Sequence, residues 1–103
     1  MNHFDKAGQP IDIRQFARLA QNKDYRRIGW DLLPDGRVLS TVWLGINHQY
    51  GEGLPLIFET LLFAKEGKWE ALECQRYATE AEARAGHRAM LERLLVQPQA
   101  EAP

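Results

Sequence analysis

The sequence has one cysteine, Cys74, and that scarcity excludes an internal disulfide, a thiol pair for a zinc ribbon and a dithiol redox motif. A long apolar run is also missing. The longest stretch, residues 54–64, falls far short of the ~20 residues of a membrane span and contains Glu59. Nor is there an excess of one charge: thirteen basic residues stand against fourteen acidic ones, for a net charge of −1. This balance removes the overall electrostatic footprint of a nucleic-acid binder and argues equally against an acidic DNA mimic. Met1-Asn2-His3-Phe4-Asp5 has neither the basic start nor the apolar centre of a signal peptide, so a reducing cytoplasm with no membrane association is expected. No Walker pattern occurs. Gly51-Glu52-Gly53 precedes a predicted strand instead of opening a helix, and it lacks the third glycine of a dinucleotide fingerprint.

What is present suits an ordinary folded domain. Apolar residues make up 45% and charged residues 26% of the 103 positions, near the globular average. A chain of this length buries roughly 65% of its unfolded surface, enough for a core. The expected organisation is one α+β domain over residues 1–96 with a flexible tail at 97–103.

Local patterns predict the elements. Asp12 with Gln15 three residues on forms a helix N-terminus, and Ile11 with Phe16 completes a hydrophobic staple. Ile13, Phe16, Ala17 and Ala20 then give a buried stripe that ends near residues 21–24. From residue 25 the period changes to two, with Ile28, Trp30 and Leu32 alternating against Arg27, Gly29 and Asp31. Pro34-Asp35-Gly36 predicts a two-residue type I′ hairpin turn returning along residues 37–45, which sets Trp30 opposite Thr41 and Ile28 opposite Trp43. Residues 46–55, with Asn47, His48, Gly51, Gly53 and Pro55, read as a loop. A second hairpin follows, residues 56–64 and 69–77 about a turn at 65–68. Thr79 and Glu82 form a capping box for a last helix whose inward face is Ala83, His87, Met90 or Leu91, and Leu94. Gly86 inside that helix points to close contact with the sheet. The order is α-β-β-β-β-α, a four-stranded antiparallel sheet of two hairpins with a helix at each end.

The densest collection of unusual residues lies in segment 40–60, running Ser40-Thr41-Val42-Trp43-Leu44-Gly45-Ile46-Asn47-His48-Gln49-Tyr50-Gly51 and then Pro55-Leu56-Ile57-Phe58-Glu59-Thr60. It offers ring nitrogens, an amide, aromatic bodies and backbone N–H groups to a planar or anionic ligand. The opposing reading is that its glycines only let the chain turn while Trp43 and Tyr50 pack the core edge. Glu59, a carboxylate in an apolar strand, needs a partner, and a hairpin centred on Glu66-Gly67 makes it face Cys74 with Arg76 diagonal to it. The candidate ligand- or partner-binding residues are therefore Trp43, Asn47, His48, Tyr50, Glu59 and Arg76. A catalytic Cys74 with His48 or His87, and a metal on His48, His87 and Glu59, lack sequence spacing to support them. His87 on the apolar stripe reads as a hydrogen-bonded core histidine. No catalytic residue, metal or cofactor is expected.

With Arg76-Tyr77 and Glu82-Ala83-Arg84-Ala85-Gly86-His87 downstream, this segment resembles a group of small uncharacterised proteins common in bacteriophages and prophages. The resemblance spans about residues 25–90, and its most specific piece is residues 43–60. It implies a mobile-element setting in a bacterial host, where small accessory proteins act by binding a host or defence component or by sequestering a small ligand; it carries no activity with it. The functional expectation is a non-enzymatic accessory binding protein, homodimeric through the uncovered sheet face with Trp43, Leu61 and Phe63. Two readings stand beside it: a small enzyme using His48 with Glu59 as acid and base, and a nucleic-acid-binding module using Arg14, Arg18, Lys23, Arg26 and Arg27 with Trp43 stacking.

Overall fold

Asp12 opens the first helix by accepting the Gln15 N–H at 2.8 Å, and α1 runs Ile13–Ala20. The computed structural model describes residues 2–48 and 51–97; the predicted tail beyond Gln97 lies outside them. Ile11 and Phe16 meet in one apolar cluster, as a hydrophobic staple should. The inward stripe differs from the predicted one: Phe16, Leu19 and Ala20 pack on the core while Ile13 and Ala17 are exposed. The helix meets the core only through Phe16 and its last turn. A short α2, Lys23–Arg26, occupies the place where a strand was predicted to begin, because the Asn22 side chain accepts from the N–H groups of Asp24 and Tyr25.

Four strands follow as an antiparallel meander in the order β1-β2-β3-β4: β1 Arg27–Leu32, β2 Val38–Trp43, β3 Phe58–Lys65 and β4 Lys68–Tyr77. The terminal helix α3, Glu80–Val96, crosses one face and touches all four strands. The α+β architecture and the α-β-β-β-β-α order are therefore as expected, with α2 added. No helix among the described residues is long and apolar enough to cross a membrane.

Both hairpins depart from the predicted register. In the first, Leu33 O accepts from Gly36 N–H, Leu33 N–H donates to Arg37 O, and Gly36 has φ 93°. This is a three-residue loop with glycine in the left-handed region, not a type I′ turn, which would need positive φ at Asp35 as well. The extra loop residue sets Trp30 opposite Ser40, and Thr41 opposite Gly29. A one-residue slip exchanges the two faces of a strand. Trp30 and Leu32, predicted inward, are therefore exposed, whereas Gly29 and Asp31 turn toward α3. An irregularity between Arg27 and Gly29 accommodates Ile28, which returns to the core at 8% exposure.

In the second hairpin Lys65 pairs with Lys68, but irregularities on either side of Phe63 advance β4 by two residues. Glu59 consequently stands opposite Arg76 itself, not opposite Cys74.

The α3 side of the sheet holds the core. Trp43 and Phe58 anchor one cluster with Ile11, Ile28, Ile57 and Ala83; Leu39 and Leu62 anchor another with Leu33 and Leu94. Each large side chain buried this way contributes about 1.5–3 kcal/mol. Ala83, His87 and Leu94 are buried and Met90 and Leu91 half-buried, the face the sequence predicts. Thr79 caps the helix, its hydroxyl oxygen accepting from Glu82 N–H; the Glu82 carboxylate accepts from that hydroxyl instead of reaching the backbone. At the other end buried Arg37 donates to Leu94 O and Gln97 O while pairing with Asp35, so the first hairpin loop closes off the helix C-terminus.

Candidate functional site

Opposed residues of antiparallel strands share a face, so the register defines the uncovered side of the sheet row by row. Arg27, Val42, Glu59 and Arg76 form the first row; Trp30, Ser40, Leu61 and Cys74 the second; Leu32, Val38, Phe63 and Ala71 the third. Among the described residues no helix lies over this side, and α2 borders only its charged end. It grades from charged at the first row to apolar at the third, where Trp69, 64% exposed, meets Phe63 edge-on at 5.1 Å. In the first row Arg76 Nε donates to Glu59 Oε2 at 3.0 Å, a structural ion pair of the kind the sequence suggested. Cys74 Sγ lies 3.5 Å from the same oxygen. Desolvation first, then the charge and hydrogen bonding of Glu59, push the thiol above its ordinary pKa, with Arg76 pulling the other way.

At the charged end Lys23 and Arg26 of α2 join Arg27, Ser40 and Val42 around a groove of about 260 Å³. Asn22 caps α2 and the helix runs straight into β1 with no intervening loop, which is what sets these three cations beside the second strand. The Arg27 guanidinium lies 5.9 Å from the centre of the Trp30 ring.

The opposite side carries the most conspicuous polar constellation. Thr60 and Thr41 hydroxyls meet, Thr41 Oγ1 lies 2.7 Å from His87 Nδ1, and His87 Nε2 lies 2.7 Å from Asp31 Oδ2. A carboxylate only accepts, so Nε2 carries a proton and donates to Asp31. The composition is that of a hydroxyl–imidazole–carboxylate triad, but its direction is inverted: both threonines have no exposed surface while Asp31 reaches solvent. Both ring nitrogens are committed. A cleft of about 230 Å³ beside His87, lined also by Arg84 and Arg88, therefore meets no free imidazole nitrogen. The group is a buried, satisfied network that fixes α3 on the sheet, and His87 is the core histidine the sequence predicts. Gly29 makes room for it, since a Cβ there would come 2.9 Å from the ring.

The predicted site residues do not converge. Glu59 and Arg76 meet on the uncovered face. Trp43, 2% exposed, belongs to the core, with its indole N–H on Phe4 O and its ring against Phe16 and Tyr25. Contrary to the expectation that it stacks on a ligand or joins a dimer face, it is buried, because β2 turns its odd-numbered residues toward the core side of the sheet. Asn47 accepts the Leu56 N–H and His48 N–H donates to Leu56 O, so these two close the base of the loop. Tyr50 lies outside the described residues. Leu54 and Pro55, with Lys6, Gly8, Ile57 and Thr79, line a cleft of about 190 Å³. Glu59 and Cys74 stand on the opposite side of the sheet from His87, which separates the members of the suggested metal site and of the Cys74–His87 pair. Among the described residues no three potential ligands gather for a metal.

No family model matches the chain, and neither a curated protein nor a solved structure is similar to it. The functional reading rests on geometry. Lys23, Arg26 and Arg27 belong to the basic patch visible in the sequence; Trp30 and Ser40 were absent from the predicted site because only the true register puts them beside those cations.

Proposed function

We propose that the chain is a non-enzymatic binding protein that works by occupancy through the uncovered face of its sheet. One observation carries this: β1 presents Arg27 and Trp30 on a face over which no helix of the described residues lies, where the cations lead along the strand into the exposed Trp30 and Leu32 beside the buried Val38 and Phe63. The inverted Thr41–His87–Asp31 network supports the same reading, since its hydroxyl is sealed from any substrate. The phage-type setting implied by the sequence resemblance suits a protein that acts by holding another molecule. Native mass spectrometry of the chain isolated from its host tests it, together with a turnover assay on nucleotides and peptides. A retained mass that is lost in Trp30→Ala and kept in Arg88→Ala is the expected result. Turnover abolished by His87→Ala, or a retained mass indifferent to Trp30, contradicts it.

A further inference from the structure

The charged end of the uncovered face has the makings of a defined subsite, and this inference rests on the binding role just proposed. We propose that the groove between α2 and β2 binds the phosphoryl group of a nucleoside phosphate, with Trp30 receiving the base. Three cations, Lys23, Arg26 and Arg27, converge there from five consecutive residues that also include the half-buried Tyr25 and the exposed Asp24. Lys23 and Arg26 take part in none of the ion pairs among the described residues, in contrast to Arg37, Arg76, Arg84 and Arg93. Arg27 also joins none of the ion pairs among the described residues and lies over the ring of Trp30. Glu59, opposite Val42 in register, is paired with Arg76, and the exposed Asp24 is the one carboxylate within the five-residue cluster.

Such a concentration of positive charge is a local departure in a chain of net charge −1, and an anionic ligand relieves the mutual repulsion of its members. Arginine contributes a fork of donors that matches phosphate oxygens. The hydroxyl of half-buried Ser40, which lines the groove, makes no side-chain hydrogen bond among the described residues and can donate one.

Size and position define the rest of the ligand. The groove, at about 260 Å³, is below the ~300–1,000 Å³ of pockets that enclose a drug-sized molecule, so it takes the phosphoryl group and leaves the remainder on the sheet. The neighbouring surface is Trp30, opposite Ser40 in register and 37% exposed. Aromatic side chains beside a basic groove receive bases by stacking with little sequence preference. A free nucleotide and a single-stranded oligonucleotide offer the same chemistry.

The test is a ¹⁵N–¹H titration of the full chain at low salt with ATP, inorganic phosphate and a ten-residue oligothymidylate as separate probes. Perturbation of the Arg27 and Ser40 amides by all three, and of the Trp30 indole by the two nucleoside-bearing probes, is expected. Lys23→Ala/Arg26→Ala, two exposed positions, should weaken the response at least tenfold, while Arg88→Ala should leave it unchanged. Response to ATP at least as strong per phosphate as to the oligonucleotide identifies a free nucleotide as the ligand; response to the oligonucleotide at far lower concentration identifies a single strand. No shift at Ser40 and Trp30 with millimolar ATP or oligonucleotide, or shifts unaffected by the double variant, overturns the proposal. That failure leaves the broader binding role standing, whereas His87-dependent turnover of ATP removes the binding-only role and leaves the subsite.

Discussion

Arg27 and Trp30, three residues apart on β1, lie on the same face of the sheet, the guanidinium carbon 5.9 Å from the centre of the indole ring. In an unbroken strand residues three apart point to opposite faces. The irregularity at Ile28 brings them together by sending that isoleucine into the core and leaving the cation over the aromatic. The charged and aromatic ends of the proposed surface are thus joined by the same backbone feature that secures the core beneath it.

The hydroxyl network on the other side makes a stability prediction. Thr41→Val leaves His87 Nδ1 and the Thr60 hydroxyl without their shared partner and should cost about 1–3 kcal/mol in urea unfolding. Adding Thr60→Val removes one of the orphaned groups, so the double variant should lose less than the sum of the singles. Additive losses to within ~0.3 kcal/mol mean that the two hydroxyls are not coupled.

Gly86 should resist improvement. Alanine in a helix interior is favoured over glycine by about 1 kcal/mol, yet a Cβ at this position would overlap the end of the Tyr77 ring. Tyr77 packs against the core cluster, so moving its ring forfeits contacts. Gly86→Ala should destabilise by about 1–3 kcal/mol, the scale of overpacking, and in a Tyr77→Leu background the same change should become neutral or stabilising. Thermal unfolding of the four proteins decides it.

Cys74 gives a pH prediction on the uncovered face. Its raised pKa means less reactive thiolate at any pH below the midpoint, so iodoacetamide should modify it more slowly than a free thiol, with the rate rising only above the usual thiol range. Glu59→Gln removes a charge that favours the protonated form and should shift the rate profile to lower pH. Arg76→Ala should shift it to higher pH. Profiles unmoved by either change exclude the Glu59–Arg76–Cys74 arrangement.

Much of the scaffold was legible because its signals are local. Asp12 and Thr79 fix helix starts by hydrogen bonds within three residues, Gly36 marks the hairpin loop, and the spacing of Ala83, His87 and Leu94 gives the inward face of α3. Facing was less accessible, since it depends on counting residues around turns and bulges. Pro34-Asp35-Gly36 is one residue longer as a loop than its Asp-Gly pair suggested, and that difference moves Trp30 from core to surface. The irregularities beside Phe63 moved Arg76 opposite Glu59. Trp43 looked like a site residue because an aromatic beside a glycine-rich loop has the same sequence signature whether it faces a ligand or, as here, Phe16 and Tyr25.

Hydroxyl-radical footprinting of the chain in a lysate of its host, compared with the same chain purified through unfolding and refolding, reads the surfaces side chain by side chain. If the uncovered sheet face is the working surface, Trp30 and Leu32, both exposed, are oxidised readily in the stripped protein and protected in the lysate, while Leu54 of the loop and Leu95 of α3 react alike in both. Protection confined to Leu54 or Leu95, with Trp30 unchanged, contradicts the account.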